Sequence, residues 1–275
     1  KIKKDQYVPH FQNKMIGLFL GDTDFSQIVL SKIKKLKKKY FIIDFSKNSK
    51  FKKNIYAHRI SIGKFGKILN LIKEKKSKKV LFAGKIAKPK FSSLRLDFKG
   101  FYYMPSVIQA AKKGDAAIIK AIIKILNVEG IKVISSISFN PELALKAGNY
   151  SKLKPNREDL ESIKKGIKYF NKLNELDHVQ ALIVNDGKIV AKEGREGTRK
   201  MLIKLKKKTH GILIKFPKKK QDLRIDLPTI GLQTIKDCKK YGLKGIVLKS
   251  KKNIILDKAK CIQFANKNRI FIKII

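Results

Sequence analysis

Short runs rich in β-branched and aromatic residues alternate with segments of helical periodicity along the first half of this sequence. Residues 16–20 predict a strand, 25–38 a helix and 40–45 a second strand. The order is repeated by a helix at 65–76 and a strand at 79–83. Strand–helix–strand alternation implies parallel strands joined by right-handed crossovers, so we expect an α/β fold.

The length and one break in the pattern predict two domains. Helices are expected at about 105–112 and 116–126, on either side of a turn, and a strand at 132–137. Between about 138 and 158, Asn-Pro, Gly-Asn and Pro-Asn pairs supply turn chemistry in quick succession. The chain has 275 residues, above the ~100–200 of one domain. We therefore predict α/β domains at 15–139 and 140–275, after a basic extension at 1–14.

The second half predicts a further mixture of helices and strands. A helix at about 159–173 precedes a β-hairpin whose turn is Asn185-Asp186-Gly187. Further helices are predicted at about 198–206, 229–241 and 257–266, and strands at 211–215, 245–248, 253–256 and 269–274.

The formal net charge is +45, from 66 Lys and Arg against 21 Asp and Glu, and only seven of the cations are Arg. Base readout and bidentate phosphate clamps favour Arg, and a dedicated nucleic-acid binder concentrates its charge on one face. The even spread of Lys instead favours a coding bias. Attraction to an anionic membrane or substrate and a non-enzymatic nucleic-acid-binding role stay open as alternatives.

Cysteine usage and hydropathy predict a cytoplasmic protein. Cys238 and Cys261 have no C-x-x-C spacing, which suggests a reducing compartment. No apolar run reaches the ~20 residues that span a bilayer, and none at the start has the features of a signal peptide. The sequence leaves the oligomeric state, monomer or homodimer, open.

Familiar catalytic motifs are missing from the sequence. The four His lack zinc-site spacing, and no P-loop, G-x-S-x-G or G-x-G-x-x-G after the first strand occurs. What remains is a set of short Gly, Asp and Thr clusters near the ends of predicted elements, where ligands bind in open α/β sheets. Each cluster is either an anion site or a helix cap or turn. The clusters are Gly21-Asp22-Thr23, Ala83-Gly84-Lys85, Lys113-Gly114-Asp115 and Glu196-Gly197-Thr198.

The stretch RIDLPTIG at 224–231 places one carboxylate, Asp226, in a strongly basic chain. Pro228 suits the first turn of a helix, so Pro228 and Thr229 predict a helix start there. Asp226 would then cap that helix or pair with Arg224. The alternative is a carboxylate that binds Mg²⁺ or polarises a water beside a phosphate.

Five segments, taken in order, carry a family resemblance. They are IGKFGKILNLIK (62–73), VLFAGKIAKPKF (80–91), MPSVIQAAKKGDAAIIK (104–120), VAKEGREGTRKML (190–202) and GILIKFPKKKQDLRIDLPTIGLQTI (211–235). Together they resemble the UDP-2,3-diacylglucosamine pyrophosphatases of lipid A biosynthesis, found in Gram-negative bacteria.

The resemblance implies two α/β domains with the substrate between them and Mg²⁺-dependent hydrolysis to UMP and 2,3-diacylglucosamine 1-phosphate. It implies a lipid-linked nucleotide-sugar substrate, delivered while the protein rests peripherally on the anionic inner face of the inner membrane. Asp226 matches the family's motif carboxylate, implied to be catalytic and to bind the metal. Substrate contacts are expected from Gly21, Asp22, Thr23, Gly84, Lys85, Asp115, Gly197, Thr198, Lys215, Arg224 and Thr229, and Gln221 lies in the same motif.

The sequence departs from the family pattern in four segments. Gly21-Asp22-Thr23 stands where members carry three glycines, and Lys85 where they carry Asn. Ala116 and Arg199 each stand where members carry Asp. Because function resides in sites and not folds, a homologue that keeps the fold without activity stays open as an alternative.

Overall fold

The protein was studied as a computed structural model, which describes residues 14–87, 89–173, 179–205, 209–218 and 221–275. These residues form two compact units. The first runs to Gln109 and resumes over Ala121–Phe139, whereas the second consists of Ala110–Lys120 and Asn140–Ile275. Residues 110–120, which the predicted division assigns to the first domain, therefore group with the second unit. Of the predicted basic extension, 1–13 lie outside the described residues.

The first unit contains a parallel five-stranded sheet in the order β3-β2-β1-β4-β5. The predicted α/β class and parallel pairing are thus confirmed. β1 is buried along its whole length, as expected for a strand covered on both faces. The elements that begin in this part of the chain are β1 (Ile16–Leu20), α1 (Asp24–Lys35), β2 (Tyr40–Asp44), β3 (Ala57–His58), α2 (Phe65–Glu74), β4 (Lys79–Ala83), α3 (Phe98–Lys113), α4 (Asp115–Val128) and β5 (Lys132–Ile134).

The strand order of this sheet creates a switch point between β1 and β4. From β1 the chain passes to β2 on one side, and β4 pairs on the other side. Leu20 lies opposite Ala83 in the register, so both strands end at the same level. Open α/β sheets bind ligands at this position, in the crevice outside the carboxyl ends of the strands.

Helix α3 begins at Phe98, so the prediction that this helix starts near Pro105 is wrong; Pro105 lies inside it. The helix begins earlier because Asp97 caps it, and the Pro105 signal gives no indication of this cap. Asp97 Oδ1 accepts the N–H of Gly100 at 2.8 Å in the first turn of α3. The same carboxylate accepts from Gly66 and Lys67 at the start of α2, at 3.0 Å each. Burial raises the pKa of Asp97, but these hydrogen bonds outweigh burial and hold the pKa below its usual value.

The second unit contains a mixed six-stranded sheet in the order β6-β13-β11-β9-β7-β8. β9, β11 and β13 are parallel, and the predicted hairpin of β7 and β8 is confirmed as an antiparallel pair. β10 and β12 form a separate parallel pair. The elements are β6 (Gly148–Asn149), α5 (Arg157–Leu173), β7 (Ala181–Asn185), β8 (Lys188–Lys192), α6 (Thr198–Ile203), β9 (Ile212–Lys215), β10 (Thr229–Ile230), α7 (Leu232–Lys240), β11 (Gly245–Leu248), β12 (Ile254–Ile255), α8 (Lys258–Lys267) and β13 (Phe271–Ile274).

The start predicted for the helix at 229–241 is wrong. Thr229 and Ile230 pair with Ile254 and Ile255 as strands, and α7 begins only at Leu232. The N–H of Ile254 donates to the carbonyl of Pro228 at 3.1 Å, which extends this pairing by one residue. Thr and Ile are β-branched and fit an extended backbone, so a partner strand outweighs the local Pro-Thr helix signal.

Apolar side chains cover both faces of the second sheet. One buried cluster includes Leu213, Ile246 and Ile272, and another on the same strands includes Ile214 and Val247. Alternate residues of a strand point to opposite faces, so the central strands contribute to both clusters. Among the described residues, no helix has the length and apolar character needed to cross a membrane.

Candidate functional site

Two predicted glycines meet at the switch point of the first unit. The N–H of Gly21 donates to the carbonyl of Ala83 at 2.9 Å. A Cβ on Gly21 would clash with the carbonyl oxygen of Lys85. Gly84 has φ +83°, and a Cβ there would clash with the Ser26 hydroxyl. The strand ends therefore approach closely because neither position carries a side chain.

The residues that follow Gly21 are held by backbone contacts. Asp22 donates its N–H to the carbonyl of Lys85 at 2.9 Å, and its Oδ1 accepts the N–H of Lys47 at 2.8 Å. Thr23 is the N-cap residue of α1, but among the described residues its side chain makes no capping hydrogen bond. Asp24 is the first helical residue. The alternative in which the Thr23 side chain caps the helix is therefore wrong, and the anion site stays a prediction.

A buried carboxylate at the end of β2, which the sequence patterns did not single out, stiffens the neighbouring loop. Asp44 Oδ1 accepts from the backbone N–H and the hydroxyl of Ser46, at 2.8 and 2.6 Å. Arg59 Nη1 lies 3.5 Å from the same oxygen and also donates to the carbonyl of Ser46. The loop is joined to β1 because Phe45 N–H donates to the carbonyl of Leu20 at 2.8 Å. An Asp at the last position of an apolar strand is the sequence signal that could have found it.

In the second unit, Asp226 lies among charged side chains from separate parts of the chain. Asp226 is partly buried, and burial raises its pKa. Lys218, the Gln221 amide and Lys215 act against this rise, whereas Asp115 adds to it. Asp115 is the first residue of α4 and belongs to the segment that groups with the second unit. The structure thus places two predicted site residues, Asp115 and Lys215, within electrostatic reach of a third, Asp226.

Gln221 adds an available donor to this cluster. Its Oε1 accepts the N–H of Lys218 at 2.9 Å. Its Nε2 is buried and has no hydrogen-bond partner among the described residues. The Gln221 amide is close enough to Asp226 to lower the pKa of that carboxylate, but it does not form a complete hydrogen bond with it. A buried donor without a partner is costly unless a ligand satisfies it. Lys218 was not among the predicted site residues, and the sequence around it is uniformly basic.

Arg224 and Thr229 both make hydrogen bonds within the protein, and their predicted substrate contacts stay predictions. Arg224 forms a bidentate pair with Asp222, with Nε 3.0 Å from Oδ1 and Nη2 2.7 Å from Oδ2. Thr229 donates its hydroxyl to the carbonyl of Leu227 at 2.8 Å. Because Arg224 pairs with Asp222 and the helix starts six residues after Asp226, the two structural roles considered for Asp226, capping that helix and pairing with Arg224, are both wrong.

Lys215, Thr198 and Glu193 form a continuous buried chain of hydrogen bonds. Lys215 Nζ donates to Thr198 Oγ1 at 2.7 Å, and Thr198 Oγ1 donates to Glu193 Oε1 at 2.8 Å. Gly197, with φ +90°, is the N-cap residue that turns the chain into α6. Burial lowers the pKa of Lys215, against the attraction of Glu193 and Asp226. Sequence reasoning found Lys215 and Thr198 but missed Glu193, which has no motif of its own.

Asp226 and Asp115 are two carboxylates of this site, and the charge of Asp115 acts on Asp226. In the part of the chain that the structure describes, no group of three or more His, Cys, Asp or Glu side chains could hold a metal. Mg²⁺ is commonly held by only one or two carboxylates, with waters and substrate phosphates completing its octahedron. The donor set therefore fits Mg²⁺ bound together with a phosphate and does not fit an all-protein cage.

Known proteins match both halves of the chain. Two family models fit it: the LpxI N-terminal domain over residues 15–143 and the LpxI C-terminal domain over residues 146–273. A relative from Caulobacter vibrioides, named UDP-2,3-diacylglucosamine pyrophosphatase LpxI, is 32% identical over 223 residues, which covers 78% of this chain and 80% of the relative.

Proposed function

This chain belongs to the LpxI family, and from that premise we propose that it hydrolyses the diphosphate of UDP-2,3-diacylglucosamine in lipid A biosynthesis. The products are UMP and 2,3-diacylglucosamine 1-phosphate. The observation that carries the proposal is the grouping of Asp226 with Lys215, Lys218 and Asp115 in one unit. Phosphoryl transfer needs little covalent chemistry from a protein, but it needs positive charge around the phosphates and an oriented water.

In the proposed reaction, the residues of this cluster either bind the phosphates or orient the attacking water. Lys215 and Lys218 neutralise charge on the diphosphate. The Gln221 Nε2 group, which has no partner among the described residues, donates to a phosphate oxygen. Asp226 accepts a hydrogen bond from the attacking water and orients it. Burial raises the pKa of Asp226, and a carboxylate whose pKa moves toward neutrality is a better proton acceptor.

We propose that hydrolysis depends on Mg²⁺, with Asp226 and Asp115 as its protein ligands. The fit of the donor set to a phosphate-bound Mg²⁺ supports this assignment. When bound, the ion would supply positive charge to the phosphate oxygens. Like charges repel, which is why Asp115 raises the pKa of Asp226, and a cation held by these residues would offset that effect.

The carboxyl edge of β1 and β4 in the first unit also carries residues predicted to contact substrate. Gly21, Asp22, Thr23, Gly84 and Lys85 lie at the switch point where α/β sheets bind ligands. Gly21 and Gly84 let the two strand ends pack closely together, and Lys85 is exposed. We propose that this edge binds the phosphate or uridine part of the substrate.

We also propose that the first unit rests peripherally on an anionic membrane at the cytoplasmic face. Phe98, Phe101 and Tyr102 are 84%, 73% and 67% exposed on α3. Residues spaced i, i+3 and i+4 share one helix face, and aromatic side chains beside Lys are typical of helices at a lipid surface. The net charge of +45 complements anionic lipid, each cation near the surface adding ~1 kcal/mol.

Vesicle flotation tests the membrane proposal. Phe101→Ser should weaken binding to anionic vesicles by about tenfold because a large apolar group no longer inserts. Val190→Ser is the matched control, since Val190 is also exposed but lies on β8 of the second unit. Binding that is unaffected by high salt would contradict attraction by charge, which is screened beyond ~10 Å at 0.1 M salt.

Release of UMP from UDP-2,3-diacylglucosamine tests the activity. We expect release with Mg²⁺ and its loss after chelation. Release that persists in a chelator would remove Mg²⁺ from the proposal and leave the hydrolysis in place. A folded protein that releases no UMP under either condition would favour the alternative of a homologue that keeps the fold without activity.

A further inference from the structure

The hydrogen-bond chain of Lys215, Thr198 and Glu193 joins three separate elements inside the second unit. Lys215 is the last residue of β9, Thr198 is the first residue of α6, and Glu193 directly follows β8. The three residues are 9%, 9% and 5% exposed. Charged groups are almost never buried without a partner, so this cluster has a specific role in the fold or in the chemistry.

The direction of each hydrogen bond follows from the chemistry of the groups. An ammonium only donates, so Thr198 Oγ1 accepts from Lys215 and gives its single hydrogen to Glu193 Oε1. The Thr198 hydroxyl therefore has no hydrogen left for a phosphate oxygen. Glu193 Oε2 accepts the N–H of Gln180 at 2.7 Å, so both of its oxygens are fixed. Thr198 thus connects Glu193 to Lys215 and does not itself donate to the substrate.

The backbone of Lys215 is fixed by a hydrogen bond, and its ammonium has N–H groups left for a ligand. Asn253 Nδ2 donates to the carbonyl of Lys215 at 3.0 Å and fixes its backbone. Among the described residues, the bond to Thr198 is the hydrogen bond that the ammonium makes, which leaves further N–H groups for a ligand. Asp226, beside which the diphosphate is proposed to bind, is close enough to interact with the ammonium through charge.

We propose that Glu193 is a positioning residue that acts through Thr198 to keep the Lys215 ammonium charged and directed at the diphosphate beside Asp226. This inference rests on the proposed function and names a residue that neither the motifs nor the family resemblance singled out. Glu193 touches no substrate atom in this role. Its effect passes through two hydrogen bonds.

The electrostatic surroundings of Lys215 support a dependence on Glu193. Burial lowers the pKa of Lys215, and the groups that oppose burial are Glu193, Asp226 and Cys238. Burial raises the pKa of the Cys238 thiol, so that group is neutral at ordinary pH. Burial also disfavours the charged form of Asp226. Glu193 is the remaining carboxylate, and it is the one linked to Lys215 by hydrogen bonds.

The test follows the titration of Lys215 and the pH dependence of turnover in the same full-length variants. Lysine labelled with ¹³C and ¹⁵N is followed by NMR without substrate, and the Lys215 signal is assigned by its loss in Lys215→Met. In Glu193→Gln, which keeps the shape and removes the charge, we expect the pKa of Lys215 to fall by about one unit or more. The alkaline limb of kcat should move to lower pH with it, and kcat should fall by about tenfold to a hundredfold.

A neighbouring glutamate supplies the matched control. Glu196 lies three residues further along the chain, pairs with Lys204 and Lys200 and is exposed. Glu196→Gln should leave both the Lys215 titration and the alkaline limb unchanged. If Glu193→Gln does not fold, Thr198→Val breaks the same connection, and Thr198→Ser should restore it.

The outcomes separate the two proposals. UMP release by the parent together with an unmoved Lys215 titration in Glu193→Gln and Thr198→Val overturns the Glu193 proposal alone. Absence of UMP release by the folded parent overturns the proposed function and, with it, the hydrolytic role of Glu193. An equal shift in Glu196→Gln would show a general charge effect and would also overturn the proposal.

Discussion

The carboxyl edge of β1 and β4 and the cluster around Asp226 are both polar sites, but they are built from different groups. At the first edge, backbone carbonyls, two glycines and the buried hydroxyl of Ser26 make the contacts. Around Asp226, the contacts come from ionisable side chains such as Lys215 that are wholly or partly buried. The first site is therefore determined by shape and the second by charge.

Because of this difference, the two sites have opposite effects on the stability of the fold. Close packing at Gly21 and Gly84 contributes to stability, because any added atom would have to displace backbone or a buried side chain. Burial of Asp226 and Lys215 instead opposes the charged form of each group. A protein retains unfavourable buried charge mainly at functional sites, so the second region is the stronger candidate for catalysis.

The largest expected effect is that of Asp226→Asn. Turnover should fall by at least ~10²-fold, since the variant loses the carboxylate that we propose orients water and binds Mg²⁺. The melting temperature should equal or exceed that of the parent. The folded-state pKa of Asp226 is raised, so its ionisation costs folding free energy above that pKa, and Asn removes this cost.

UMP release and thermal unfolding are measured on one preparation. Asp186→Asn is the control, because Asp186 is an exposed carboxylate in the β7–β8 turn. Turnover of Asp226→Asn within a few-fold of the parent would remove the catalytic assignment.

The second effect is on stability and concerns Gly21→Ala. The added methyl group meets the Lys85 carbonyl oxygen, which is backbone and cannot rotate away. We expect a loss of about 1–3 kcal/mol in the free energy of unfolding, measured by denaturant titration. Gly194→Ala is the control, because a Cβ at Gly194 meets no heavy atom within 4 Å. Equal losses in the two variants would show that the first edge is not sterically determined.

The smallest expected effect is that of Arg224→Gln. Arg224 is exposed and its guanidinium is already paired with Asp222, so its removal should lower kcat/KM by no more than about fivefold. Lys215→Gln is the comparison and should lose far more activity. Equal losses would indicate that Arg224 leaves Asp222 to bind the substrate, which would extend the charged site to the exposed turn.

Local patterns in the sequence were sufficient for much of the fold. The strands predicted at 16–20 and 79–83 coincide with β1 and β4, because a buried parallel strand is a continuous apolar run bounded by a turn residue. The glycines that follow these strands can also be recognised in the sequence, because each one ends an apolar run. The family was also evident from five ordered segments, and the two family models confirm it.

Other features depended on contacts between residues far apart in the chain. Thr229 and Ile230 are a strand because Ile254 and Ile255 lie beside them, and the Asp97 carboxylate that caps α3 also accepts from distant Gly66 and Lys67. A helix signal such as Pro-Thr is local and weak, whereas pairing and capping add several hydrogen bonds at once. The fold class was therefore predictable, and the element boundaries near the site were not.

The amino-acid sequence by itself determined the α/β class, the central parallel strands, the glycines at their ends and the family. Only the tertiary structure decided that Arg224 pairs with Asp222, that Asp115 approaches Asp226 and that Glu193 reaches Lys215 through Thr198. Periodicity and turn chemistry act over a few residues and can be seen in the sequence. Burial and charge proximity, which set the pKa values of Asp226 and Lys215, arise only when distant segments pack together.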